Sequence, residues 1–189
     1  MFKDFPKANE VDRARFETDR QNALPRQTYV MMFTPRSGSS WLTDVAKRTG
    51  RLGHAGECFN PNFMPEMTRA LAATDLPEYA DILSKSRATK GVHGFQITHH
   101  QLIAVFDDEE TFKAYFPDPK VFWLIRRDIV SQAVSLFKMQ ATQVTHAAEM
   151  AEGEIERREP DFHYDGKQIR RWLRHILAAE LATETMLAK

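Results

Sequence analysis

The chain has 189 residues, of which 42% are hydrophobic and 28% charged, as in a globular protein large enough for one substantial core. Its 26 basic and 26 acidic residues cancel, so composition does not favour general affinity for nucleic acid. No apolar run approaches the ~20 residues needed to cross a bilayer, and the charged N-terminus does not resemble a signal peptide. The single cysteine, Cys58, excludes an internal disulfide and fits a reducing compartment. We therefore expect a cytoplasmic protein without a nucleic-acid partner or an integral membrane segment.

In chain order, the first part of the sequence predicts a charged, partly helical lead-in over residues 1–27, followed by one α/β domain over 28–189. An apolar, β-rich run at 29–33 predicts the first strand. A turn at 34–38 and a helix at 39–49 follow, with Gly50 at the position of a C-cap. Residues 51–57 fit either a short second strand or an extended turn.

The remaining elements alternate between helix and strand. We predict helices over 66–87 in two pieces, a strand at 91–98, short helices over 99–116, a strand at 120–126, a helix at 128–141 and an amphipathic helix at 167–187. A further helix near 146–158 is one interpretation of an irregular, charged stretch. The continuous apolar run at 120–126 is typical of a buried parallel strand. Alternating strands and helices predict an α/β fold with a mainly parallel sheet flanked by helices.

The segment Thr34-Pro-Arg-Ser-Gly-Ser-Ser-Trp-Leu42 combines a strand end, a Gly/Ser turn and a helix start. Such a turn binds anions because the first helical N–H groups lack partners and carry partial positive charge. Gly38 lets the backbone approach a phosphate, Arg36 adds charge, and the hydroxyl donors are Ser37, Ser39 and Ser40. The alternative is an ordinary turn capped by serine. No lysine follows Gly38, which argues against a site for Mg-ATP.

A second strand-to-helix junction, Arg126-Arg127-Asp-Ile-Val-Ser131-Gln-Ala-Val-Ser135, places arginines at a strand end and hydroxyls on the next helix. This arrangement suits a second phosphate. The alternative is that the arginines pair with Asp128 or another carboxylate while the serines face water.

Together the two junctions resemble the nucleotide motifs of sulfotransferases that use 3′-phosphoadenosine 5′-phosphosulfate (PAPS). The Arg127 and Ser135 spacing resembles the pair that holds the 3′-phosphate in those enzymes. Within the superfamily the chain looks most like the bacterial trehalose 2-sulfotransferase and LPS sulfotransferase-like family, from about Tyr29 to Asp165. Gly53-His-Ala-Gly-Glu57-Cys-Phe59 resembles that family's Gly-Glu…Glu-Phe segment, and Gly91-Val-His-Gly94 its Gly-Val-x-Gly.

The resemblance implies a P-loop-like sulfotransferase fold, PAPS as donor, PAP as product and no metal. It implies a carbohydrate or glycolipid hydroxyl as acceptor and allows a homodimer. The residues it assigns to the donor are Pro35, Arg36, Ser37, Gly38, Ser39, Ser40, Trp41, Arg127 and Ser135.

Glu57 is the candidate catalytic base, by resemblance to the family's glutamate, and Arg36 the candidate for stabilising charge on the departing phosphate. His54 and His93 are rival bases, and a surface carboxylate is the simpler interpretation of Glu57.

The sequence departs from the family at Gln96, where a lysine is usual, and keeps only half of the carboxylate pattern around Glu57. It also ends after one long helix, so we expect a shortened C-terminal part. Two other functions stay open: a P-loop kinase-like enzyme, and a shortened, non-catalytic PAP-binding protein.

Overall fold

The computed structural model describes Phe2, Phe5 and residues 10–144 and 162–189 of the chain, with no side-chain description for 10–12. The helix predicted near 146–158 lies outside the described residues. The chain divides into two compact units, Met1–Phe33 with Ser39–Leu124, and Thr34–Gly38 with Ile125–Lys189. The single domain over 28–189 stays a prediction.

The elements follow the predicted order. The first unit contains α1 (Glu10–Arg20), β1 (Gln27–Phe33), α2 (Ser39–Arg48), α3 (Met64–Leu71), α4 (Leu76–Ser86), β2 (Val92–Ile97), α5 (His99–Phe106), α6 (Glu109–Tyr115) and β3 (Lys120–Leu124). The second contains α7 (Ile129–Thr142) and α8 (Gly166–Leu187). Residues 51–57 form no strand, so the extended-turn interpretation is the right one. Gly50 ends α2 in the left-handed region, at φ 61°, as its C-cap position predicts.

The sheet in the described part of the chain has three strands in the order β2-β1-β3, and both pairings are parallel. Met31 of β1 lies opposite Gln96 on one side and Phe122 on the other. This arrangement confirms the α/β fold with a parallel sheet flanked by helices.

The strand β3 is less buried than its sequence predicts. Among the described strands it pairs with β1 alone and forms an edge, and its Val121 and Phe122 side chains are 41% and 42% exposed. A continuous apolar run indicates a buried strand only if neighbours cover both faces and both edges. The sequence pattern does not contain that information.

The core of the first unit is an aromatic cluster around Phe59. Its ring lies 4.9 Å from Phe95, 5.2 Å from Phe106 and 5.5 Å from Phe116, measured between centroids, and none of the four is exposed. These side chains come from a loop, β2, α5 and the end of α6, so the cluster joins the sheet to its helices.

The buried face of α2 differs from the predicted one. Helical spacing predicts Trp41 and Val45 on the apolar face, but Trp41 is 71% exposed and Val45 38%. Thr43 is buried instead, and its hydroxyl donates to the Ala55 carbonyl at 3.1 Å. That hydrogen bond satisfies a polar group that the helical pattern alone assigns to solvent.

In the second unit α7 packs against α8 through Ala133, Leu136 and Ile176, all buried. Helical spacing predicts one apolar stripe on α8, made of Ile169, Trp172, Leu173, Ile176 and Leu177. Ile176 is buried and the first three are half-buried, which confirms the stripe for them, but Leu177 is 51% exposed. On α7 the same spacing predicts Val130 on the apolar face, yet Val130 is exposed, while the polar Gln132 is buried completely. The helix is therefore rotated so that an amide faces inward.

Candidate active site

The loop Thr34–Gly38, which follows β1, makes a left-handed turn. Arg36 has φ 66° and Gly38 has φ 100°. Gly38 suits its position because an L side chain rarely adopts this conformation, whereas Arg36 adopts one that costs about 1–2 kcal/mol. Ser37 N–H donates to the Thr34 carbonyl at 3.3 Å and closes the turn. A bulky residue held in such a conformation is common where a loop is shaped for a ligand.

Two guanidinium groups lie at this loop. Arg36 Nε donates to Ser135 Oγ at 2.9 Å, and Arg126 Nη1 donates to the Arg36 carbonyl at 3.4 Å. Burial lowers the pKa of Arg36, and the positive charge of Arg126 lowers it further. Arg126 makes no salt bridge with a carboxylate in the described ranges. Like charges held together in a half-buried place favour an anion between them.

The Ser37 hydroxyl is the third polar feature of this loop. Its oxygen is buried and has no hydrogen-bond partner among the described residues. A buried hydroxyl without a partner costs free energy, about 1–3 kcal/mol, so one placed beside two arginines requires an explanation. An anionic oxygen that accepts from Ser37 would supply the partner.

The two serines near the start of α7, Ser131 and Ser135, make different contacts. Asp128 caps the helix: its Oδ1 accepts from the backbone N–H of Ser131 at 3.0 Å, and its Oδ2 accepts from the Ser131 hydroxyl. Ser135, one turn further, is half-buried and accepts from Arg36. The simple alternative, in which both serines face water, is therefore wrong. Arg127 is exposed and forms no salt bridge with the described carboxylates.

The other residues that the sequence predicts to bind the sulfuryl donor differ in their exposure to solvent. Pro35 is half-buried, Ser39 is buried at the first position of α2, and Ser40 and Trp41 are exposed. The first N–H groups of α2 have no acceptor within the helix, as at any helix start.

Glu57 is held by two side-chain amides in the first unit. Asn60 Nδ2 donates to Glu57 Oε2 at 2.8 Å, and Gln101 Nε2 donates to the same oxygen at 2.9 Å. The other oxygen, Oε1, accepts no hydrogen bond in the described part of the chain. The carboxylate is half-buried and fixed through one oxygen, which leaves the other for a proton. The interpretation of Glu57 as a plain surface carboxylate does not match this arrangement.

Comparison with protein families identifies the chain. The model of the family described as Stf0 sulphotransferase matches residues 28–188. The chain belongs to the Stf0 sulphotransferase family. A search of curated proteins finds no significant match. Membership confirms the resemblance to trehalose 2-sulfotransferase-like proteins and shows that the function is that of a sulfotransferase.

In this Stf0-family chain the two histidines proposed as rival bases are poorly suited to that role. His93 is completely buried on β2, and neither ring nitrogen has a hydrogen-bond partner among the described residues. Burial lowers its pKa to about 4, with a smaller effect from Arg87. Burial also lowers the pKa of His54, which lies 3.5 Å from an Arg87 nitrogen. A lowered pKa makes each imidazole a weaker base, and the His93 ring is in addition completely buried, whereas His54 is half-buried.

Cys58 is buried, as expected for a small apolar residue. Burial raises the pKa of its thiol to about 11, so the thiolate nucleophile is not formed near neutral pH. Among the described residues, no group of three or more His, Cys, Asp or Glu side chains is arranged to hold a metal ion. In the same part of the chain, no helix is both long enough and apolar enough to span a membrane.

Sequence reasoning missed three residues at these sites, Gln132, Gln101 and Asn60. Gln101 had a local signal, since Thr98-x-x-Gln101 is a capping-box pattern, and both reciprocal bonds are formed. In that box the Gln101 side-chain oxygen Oε1 accepts from the Thr98 N–H, which leaves the Gln101 Nε2 hydrogens to donate to Glu57. Asn60 precedes Pro61, and this local pattern indicates a break in the chain rather than a contact with Glu57. Gln132 had no local signal at all.

Gln96, the position where a lysine is usual, is buried on β2. Its Oε1 has no hydrogen-bond partner in the ranges the structure describes. A buried amide supplies no positive charge, so this position does not provide the cation that is usual in the family.

Proposed function

We propose that this sulphotransferase transfers a sulfuryl group from PAPS to a hydroxyl group of a carbohydrate or glycolipid in the cytoplasm. The observation that carries the proposal is the loop at Arg36. There a strained turn, two neighbouring guanidinium groups and a buried hydroxyl without a partner lie together. All three are features of a site for an anion, and family membership selects sulfuryl transfer as the chemistry.

The residues of the second unit fit PAPS, which carries two phosphate groups. The loop Thr34–Gly38 supplies hydrogen-bond donors for the 5′-phosphosulfate, and Arg127 with Ser135 supplies hydrogen-bond donors for the 3′-phosphate. The Ser37 hydroxyl has no other partner among the described residues, and the Arg127 guanidinium is exposed. Bound PAPS supplies an activated sulfuryl group.

Arg36 stabilises the negative charge that grows on the departing phosphate oxygen. Burial and the neighbouring charge of Arg126 lower the pKa of Arg36, because its positive charge is poorly solvated there. A nearby anion therefore stabilises this charge strongly. The planar guanidinium also fixes the direction of approach, which a lysine would not do.

Glu57 accepts the proton of the acceptor hydroxyl. The amides of Asn60 and Gln101 bind Oε2, so the proton goes to Oε1. Fixing a base before the acceptor binds reduces the entropy lost at the transition state.

The decisive experiment is PAP binding by titration calorimetry on the wild type and on Arg127→Ala. We expect Arg127→Ala to weaken PAP roughly tenfold or more, since a charge-assisted hydrogen bond contributes about 1.5–3 kcal/mol. Arg170→Ala, an exposed arginine of α8, is the matched control and should bind PAP as the wild type does.

Two results contradict the proposal. Absence of PAP binding by the wild type removes the donor assignment, and tighter binding of Mg-ATP than of PAP indicates a kinase-like enzyme. If PAP binds but labelled sulfate is never transferred from PAPS to trehalose or to a panel of neutral sugars and glycolipids, the chain is a binding protein instead.

A further inference from the structure

Gln132 is a completely buried polar residue on α7 that contacts the loop at Arg36. Its Nε2 donates to Thr34 Oγ1 at 2.9 Å and to the Pro35 carbonyl at 2.8 Å. Both acceptors belong to the residues that immediately precede Arg36. A glutamine on a helix face otherwise used for packing has therefore been turned inward to hold the loop.

The direction of these bonds is fixed by chemistry. An amide has two hydrogens, and Gln132 uses them on two acceptors; with its amide reversed, its oxygen would face the Pro35 oxygen. The Thr34 hydroxyl can accept from Gln132 because its own hydrogen is directed to Glu180 Oε1, at 3.5 Å. The Gln132 Oε1 itself has no partner among the described residues. The side chain thus leaves one of its own polar atoms unsatisfied while it satisfies the loop.

The bond to Pro35 determines where the loop directs its donors. In a trans peptide the C=O and N–H groups point in opposite directions, so fixing the Pro35 carbonyl on Gln132 directs the Arg36 N–H to the other side of the loop. The next carbonyl, of Arg36, is fixed in a similar way by Arg126 at 3.4 Å. The carbonyls of Pro35 and Arg36, whose partial negative charge would repel an anion, are therefore both bound by side chains. The Cα atom of Arg36 joins these two peptide groups and has a left-handed φ of 66°.

We propose that Gln132 is a positioning residue for the donor: it holds the loop in its anion-binding conformation before PAPS arrives. This inference rests on the proposed function, since it assigns the loop to the 5′-phosphate end of the donor. Gln132 acts on the 5′ end of the donor and not on the 3′-phosphate held by Arg127 and Ser135.

The test uses three ligands that separate the two ends: PAP, 5′-AMP, which lacks the 3′-phosphate, and 3′-AMP, which lacks the 5′-phosphate. Gln132→Met keeps the volume and removes both donors. We expect it to weaken PAP and 5′-AMP by the same factor, about tenfold, and to leave the calorimetric affinity for 3′-AMP unchanged. Gln140→Met, at an exposed position of the same helix, is the matched control and should change none of the three.

A second variant covers the case in which Gln132→Met does not fold. Thr34→Val removes one acceptor of Gln132 and keeps the bond to Pro35, so it should weaken 5′-AMP by a smaller factor in the same direction. Where Gln132→Met does fold, the losses in the double variant should be less than additive, because both substitutions remove the same hydrogen bond.

The outcomes separate the two proposals. If the wild type binds PAP and Gln132→Met binds 5′-AMP equally tightly, the positioning role is wrong and the proposed function is unaffected. An equal loss for 3′-AMP also overturns it, because general damage to the unit then explains the effect. If the wild type binds none of the three nucleotides, the proposed function itself fails and this inference with it.

Discussion

The loop at Arg36 and the carboxylate of Glu57 are held in opposite ways. In the loop the acceptors are bound, with the Pro35 carbonyl on Gln132 and the Arg36 carbonyl on Arg126, while the Ser37 donor has no partner among the described residues. At Glu57 one acceptor oxygen binds two amides and the other accepts no bond in the same described part. The loop thus keeps a hydrogen-bond donor available for an anion, and Glu57 keeps an acceptor oxygen available for a proton.

The difference shows how a fold prepares for an anion and for a proton. In a loop that binds an anion, the backbone carbonyl oxygens must point away from the anion and accept hydrogen bonds from other groups, because their partial negative charge would repel it. A base must keep one lone pair open and fix the rest of the group, so that the proton is accepted in a defined geometry. In both regions a glutamine amide supplies part of these bonds, together with Asn60 at Glu57 and with Arg126 at the loop.

The largest expected effect comes from replacing the base. Glu57→Gln keeps the shape and removes the proton acceptor, so turnover should fall by about 10²–10⁴-fold, the usual contribution of general base catalysis. PAP affinity should stay unchanged, which calorimetry checks alongside the rate of sulfate transfer from labelled PAPS. Unchanged turnover in this variant would remove Glu57 from the role.

The next effect is a loss of stability in acid that the buried His93 should cause. The pKa of His93 is about 4 in the folded chain, below the ordinary 6.5, so between these values the unfolded chain binds more protons. Stability is therefore full above pH 6.5 and falls as the pH drops toward 4, by about 3 kcal/mol from this residue. Urea unfolding at pH 7.5 and pH 4 measures the loss.

The control for this prediction is His93→Leu, which should reduce the pH dependence by that amount because the leucine does not titrate. His163→Leu, at an exposed position, should retain the wild-type dependence. If His93→Leu loses as much stability on acidification as the wild type, the buried imidazole is not the cause.

The smallest effect tests the amides at Glu57. Gln101→Met removes one of the two donors to Oε2, and we expect kcat to fall about fivefold, as for a hydrogen bond of about 1 kcal/mol, with an unchanged KM for PAPS. Thr98→Val removes the other half of the capping box and leaves the Gln101 bond to Glu57. An equal loss of kcat in both variants would indicate that α5 stability, rather than the position of Glu57, is responsible.

Local sequence signals were sufficient for the order of the elements and for recognising the turn around Arg36 as a candidate anion site. Alternating apolar runs and breakers predicted the strands and helices, and their alternation predicted the parallel sheet. The turn around Arg36 could be recognised because arginine, serine and glycine follow a strand directly in the chain. The resemblance then pointed to Glu57. None of these steps depends on contacts between residues that are distant in sequence.

The tertiary structure decided which groups are bound and which face solvent. Trp41 is exposed while Thr43 is buried, because the Thr43 hydroxyl finds the Ala55 carbonyl. Gln132 is buried because its acceptors, almost a hundred residues earlier, lie beside α7. The residue types fix which hydrogen bonds each side chain can donate or accept. The fold fixes which partners those hydrogen bonds join. Hydrogen-bond partners distant in the chain are set by packing, which leaves no periodic trace in the sequence.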